Sequence, residues 1–119
     1  MKNLNIFAFA LLFLVGCAKD LGYQQAIQGS WQGVQWTVEN KPDGRDAAGV
    51  KFTFTDSNYK AVLGARDEAG SFRVEGDKLY THAEGQQEIM VKIIKLTADS
   101  LTFDMNRGGV SEKLFLKKE

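Results

Sequence analysis

Cys17 is the only thiol in the chain and His82 the only imidazole, so nucleophilic and metal chemistry start from very few groups. His82 has no Cys near it, and no Ser sits in the G-x-S-x-G elbow that would expose a hydroxyl nucleophile. A zinc site needs several Cys or His. A calcium loop needs a D-x-D-x-D-G run, which Asp43-Gly44-Arg45-Asp46 does not supply. The glycines form no G-x-x-x-x-G-K phosphate loop. Asp56, Asp67, Asp77 and Asp99 fall in turn-like stretches, where a short carboxylate satisfies nearby backbone N–H groups without catalysis. His82 reads as a surface or rim histidine of a strand rather than a general base. The expectation is a protein that is not an enzyme and uses no metal and no cofactor. That leaves one thiol and a large set of aromatic rings.

The thiol stands at a marked place. Met1-Lys2-Asn3 is a short positive head, and residues 6–15 are unbroken apolar side chains. A run of that length is too short for a bilayer core, which takes about 20 residues, but it fits the hydrophobic region of a signal peptide. Leu14-Val15-Gly16-Cys17 then resembles the lipobox of bacterial lipoproteins at all four positions. That resemblance implies a diacylglyceryl thioether on Cys17, cleavage after Gly16, and a further acyl chain such as palmitate on the new amino terminus. The residue types suit the chemistry. A thiol forms a stable thioether, a small Gly admits the peptidase, and several acyl chains anchor where one binds only marginally. Ala18 after the Cys, in place of the Asp associated with inner-membrane retention, favours an outer-membrane address. Which leaflet is left open, since Lys19-Asp20 resembles acidic surface-export signals at one residue only.

The expected layout is a signal peptide at 1–16, an anchored tether at 17–28 with a short helix, and one domain at 29–119. Without the first sixteen residues, 103 remain with 14 positive and 15 negative side chains, enough for one small domain. Such a balance argues against nucleic acid, because phosphate contact needs a basic face. An acylated Cys17 leaves no free thiol and no disulfide, so packing alone must hold the fold.

From Gln28 onward the sequence alternates β-rich segments with Gly, Asp, Asn and Ser turns. The predicted strands are 30–38, 50–55, 59–63, 71–74, 78–83, 88–96, 101–105 and 110–117. In the second, Val50, Phe52 and Phe54 share one face, and Gly76-Asp77 predicts a two-residue hairpin turn. Most connections are too short for parallel crossovers, so neighbours pair antiparallel. The architecture that follows is all-β: a single antiparallel up-and-down barrel of about eight strands, which leaves no open edge. The one long connection, 39–49, is polar and holds the sole Pro, Pro42; it either covers one mouth of the barrel or moves freely. In the tether, Leu21 and Ile27 are the apolar anchors.

Gly29-Ser30-Trp31 resembles the G-x-W opening of the lipocalin and fatty-acid-binding (calycin) barrels, whose Trp plugs the closed end. With Val50-Lys51-Phe52-Thr53-Phe54, Gly70-Ser71-Phe72-Arg73-Val74, Asp77-Lys78-Leu79 and Leu101-Thr102-Phe103, the chain resembles the small lipocalin-like lipoproteins of Bacteroidetes. The resemblance implies a structural plug at Trp31 and a lipocalin-like interior. Larger calycins set an Arg of the last strand over that Trp; here the final strand offers Lys113, Lys117 and Lys118.

Trp36, Phe52, Phe54, Tyr59, Phe72, Tyr80, Phe103 and Met105 are the candidate interior contacts for a small hydrophobic ligand. The competing reading is that they fill the barrel, since eight strands are just wide enough for either outcome. In the strand at 88–96, Ile89, Val91 and Ile93 alternate with Met90 and Ile94, so one apolar set lies outside, covered by tether or loop or open to a protein partner. Two functions follow: a membrane-anchored module for a small hydrophobic molecule, or a packed barrel that serves as an interaction or structural module of the envelope.

Overall fold

A computed structural model describes residues 22–42 and 46–119; Cys17, Leu21 and the signal-like run lie outside the described residues. A short helix α1 (Gly22–Ala26) leads into β1 (Gly29–Val38) and the two-residue β2 (Lys41–Pro42). After a 3-10 turn (Ala47–Gly49) come β3 (Val50–Thr55), β4 (Asn58–Leu63), β5 (Arg66–Glu75) and β6 (Lys78–Ala83). β7 (Ile89–Leu96), β8 (Ser100–Arg107) and β9 (Val110–Lys118) complete the described chain.

Every pairing is antiparallel, and each strand from β3 onward pairs with its neighbour in sequence. β9 returns to β1 from Trp31↔Lys118 to Val38↔Glu112, which closes eight strands into a barrel and leaves β2 as an extra strand on β1. The expected architecture is the observed one. Short turns dictate it: Gly76-Asp77 joins β5 to β6, as its residue types predict. The Glu39-Asn40 turn before β2 has both residues left-handed, the form whose twist matches that of the flanking strands.

Period-2 alternation sets the inner face. Val50, Phe52 and Phe54 point inward from β3, as do Leu101, Phe103 and Met105 from β8 and Leu114 and Leu116 from β9. β1 pairs with β3 only from Gly29 to Gln32, and the 3-10 turn fills the seam above that point. Ala47 packs there against Gly33, where any β-carbon would stand 2.1 Å from the Ala47 carbonyl oxygen. Gln32 fixes the same turn by donating to the Ala48 carbonyl at 2.7 Å. The long connection is therefore partly ordered against the barrel, while its residues 43–45 lie outside the described set.

One end of the barrel is sealed. α1 and Ile27 cap it, and Ile27 and Trp31 are both 0% exposed. Trp31 Nε1 donates to the Ile27 carbonyl at 2.8 Å, so the plug and the cap hold each other. Gln28 and Gln24 tie the cap to the β3–β4 turn at Asp56, and Gln24 also accepts from the Val74 amide. Lys118 lays its ammonium 4.7 Å from the centre of the Trp31 ring and donates to the Gln28 carbonyl. The final strand thus supplies a Lys where the larger calycins use an Arg. No helix among the described residues is long and apolar enough to cross a membrane.

Candidate ligand-binding interior

The inward side chains fall into two groups. Near the sealed end, Trp31, Phe54, Leu79, Leu101 and Leu116 are buried, with partial exposure kept by Val74 and Leu96 close to the strand ends. Phe54 anchors the packing there. Its ring meets Phe72 edge-on at 4.9 Å and stacks with Phe52 at 5.9 Å, while Phe52 meets Phe103 edge-on at 5.6 Å. Such offset and T-shaped pairs stabilise beyond the area they bury.

Toward the other end, the mouth, the interior loosens. Trp36 near the end of β1, Phe52 in β3, Leu63 at the end of β4 and Met105 in β8 face inward yet stay half-buried. Ile89, in register with the inward Thr81, reaches the rim and is 52% exposed. Two polar pairs stand among these apolar groups. Trp36 Nε1 donates to Glu112 Oε1 at 3.0 Å, and Glu112 is only 5% exposed. Tyr59 donates its hydroxyl hydrogen to Glu68 Oε2 at 2.5 Å, with the Arg66 guanidinium 3.7 Å from the other carboxylate oxygen. Burial and then the Glu68 carboxylate, as acceptor and as negative charge, push the Tyr59 pKa well above the ordinary phenol value. The phenol thus stays a donor at any physiological pH.

Of the residues singled out from sequence, Trp31 is the plug, and Trp36, Phe52, Phe54, Tyr59, Phe72, Phe103 and Met105 all face the interior. They divide by depth: Phe54, Phe72 and Phe103 are packed into the core, whereas Trp36, Phe52 and Met105 keep accessible surface toward the mouth. Tyr80 does not join them. It points outward in register with Arg73 and Met90, and the Arg73 guanidinium lies 4.1 Å above its ring. Adjacent Leu79 takes the inner position, and in a strand two neighbours cannot share one face. Arg73 is fixed in turn by Glu75 at 2.7 Å and Glu88 at 2.5 Å, which raise its already high pKa.

Glu68 and Glu112 were not foreseen as interior groups. The signal was present in the alternation: Glu68 precedes Gly70, Phe72 and Val74 on one face, and Glu112 precedes Leu114 and Leu116. His82 is exposed on the outer wall, beside an open groove of about 680 Å³ over β3–β6 floored by Thr53, Ala69 and Ser71. It makes no side-chain hydrogen bond among the described residues. Among those residues, no group of three or more His, Cys, Asp or Glu gathers as a metal site.

Residues 27–103 match the family model of the lipocalin-like domain. The chain belongs to the lipocalin-like family. Two solved structures share the lipocalin-like fold. One, a lipocalin-like protein from Bacteroides uniformis, is 17% identical with a TM-score of 0.62, over 79% of this chain and 99% of that one. The other, an uncharacterized protein from Bacteroides eggerthii, is 14% identical with a TM-score of 0.59, over 77% of this chain and 98% of that one. A comparison with curated proteins found no match.

Proposed function

We propose that the protein is a lipid-anchored envelope module that takes a small, largely apolar molecule into the mouth half of its barrel. The observation that carries this reading is the gradient along the interior: the sealed half is packed, while Trp36, Phe52, Leu63 and Met105 face inward and remain accessible. Apolar walls with a few convergent polar groups are the usual make-up of a small-molecule site. Here the polar groups are the Tyr59–Glu68 and Trp36–Glu112 pairs. A role in binding rather than catalysis agrees with a site built from rings and two engaged carboxylates. The anchor in this reading is Cys17, acylated behind its signal peptide, with the outer membrane as the address.

Native mass spectrometry of the purified protein tests the ligand. A co-purified lipid or metabolite is expected, and Leu63→Arg, which sets a charge at the rim, should expel it without unfolding the barrel. An empty wild-type protein whose hydrophobic-dye binding is the same in Leu63→Arg would instead favour a packed interaction module. Cys17→Ser tests the anchor: the protein should leave the membrane fraction and lose the acyl mass.

A further inference from the structure

The outer wall of β1, β9, β8 and β7 carries two bulges on one cross-strand row. The row runs Gln35–Phe115–Thr102–Lys95. Beside it, register shifts between Gly33 and Gln35 in β1 and between Ile93 and Lys95 in β7 each admit one extra residue. Both extra residues are apolar and exposed: Val34 at 62% and Ile94 at 43%. A bulge re-aims a side chain at the cost of ladder hydrogen bonds, and these two aim aliphatic groups at water. They stand three strand spacings apart, roughly 14 Å, with the half-buried Phe115 between them. A groove of about 270 Å³ lies along this row, lined by Val34, Phe115, Thr102, Lys95 and Lys117 among others.

The charges of this wall are chiefly cationic. Lys95 and Lys117 make no ion pair among the described residues. Asp99, the groove's own carboxylate, already accepts from the hydroxyls of Thr97 and Ser100. Asp104 lies in register with Lys92 and Lys113, which offset it. Aliphatic tips interleaved with free ammonium groups match the apolar–anionic boundary of a phospholipid leaflet. Cys17 is five residues before Gly22 of α1, so an anchor there lies within about 18 Å of that helix.

We infer that this wall, through Val34, Ile94, Lys95 and Lys117, rests on an anionic phospholipid surface and lays the barrel on its side with the mouth free. The orientation rests on the anchored reading of Cys17; the lipid contact itself does not. The test uses the full-length protein purified from membranes, with acylation read from its mass. A single Cys carrying an environment-sensitive dye replaces Val34, Ile94 or, on the outer wall of β4, Val62. The protein is then placed on phosphatidylcholine vesicles with or without phosphatidylglycerol. A blue shift at 34 and 94 but not at 62 is expected, only with phosphatidylglycerol, and lost in high salt or in the Lys95→Glu/Lys117→Glu variant. No shift at 34 and 94, or an equal one at 62, overturns the proposal. So does a shift without vesicles that grows with protein concentration, which would mean a second copy covers this wall. A protein without acyl mass that shows the same response removes the anchor and keeps the lipid surface.

Discussion

The two ends of this barrel are built from the same alternation and come to opposite states. At the sealed end, Trp31, Phe54, Leu79 and Leu101 are buried beneath α1 and Ile27, and backbone carbonyls of the cap take up the indole N–H and the Lys118 ammonium. At the mouth the inward Trp36, Phe52, Leu63 and Met105 stay only half-buried, with Glu68 and Glu112 among them, and apolar surface stays accessible. The difference teaches how a domain without a described covalent cross-link can hold itself together through one end and leave the other less tightly packed. Stability is concentrated in one half, since each fully buried large side chain contributes about 1.5–3 kcal/mol, and the other half is the one the proposed ligand would use.

The sharpest way to break that contrast is to truncate one residue in each half. Phe54→Ala should cost about 3–5 kcal/mol, because its ring joins Phe52, Phe72 and Tyr59 and the cavity left cannot collapse. Met105→Ala, half-buried near the mouth, should cost only about 1 kcal/mol. Urea unfolding of both variants measures the difference, and equal losses would mean that the halves are not distinct. Next in size, Lys118→Met keeps the aliphatic stem but removes the cation over Trp31 and the bond to the Gln28 carbonyl. A loss of about 1–2 kcal/mol is expected by the same measurement, with raised mobility of α1 in hydrogen exchange.

The smallest effect concerns the pair that bridges the halves. Tyr59→Phe removes the donor to Glu68 and should cost about 1 kcal/mol at neutral pH. Its pH signature is more telling. Tyr59 holds its proton in the folded state above the ordinary value of 10.0, where the unfolded chain releases it. The folded state therefore binds more protons there, and stability falls as pH rises from about 10. Wild type should lose stability more steeply than Tyr59→Phe between about pH 9 and 11, lysine titration being common to both. Parallel curves would place the phenol outside the buried interior.

Strand existence was legible because period-2 alternation is strong in most segments: the expected 50–55 and 78–83 coincide with β3 and β6. β5 was foreseen only over 71–74 although it begins at Arg66. Its first half, Arg66-Asp67-Glu68-Ala69-Gly70, is charged and ends in Gly, and nothing in that composition says that Glu68 faces inward to meet a phenol. β2 was missed because a Pro at its end opposes a strand reading, yet it sits where no further strand needs the missing N–H. Tyr80 was misjudged because Leu79-Tyr80 offers two bulky apolar neighbours, and only the register with Arg73 and Met90 decides between them. The cross-strand row that aligns both bulges could not be read from sequence at all, since it joins residues 35, 95, 102 and 115 through three separate pairings.

The closure between β1 and β9 has a consequence for biogenesis. The earliest strand of the ring finds its last partner more than seventy residues downstream, from Val38↔Glu112 to Trp31↔Lys118. Until that partner has emerged, the flanks of β1 and β8 both present bare amide rows that any other nascent copy can pair with. Such a long-range final step is slow on topological grounds. A polypeptide of this design must therefore be shielded on its way to maturity, and damage to its last few residues would be felt as clumping rather than as a local fray.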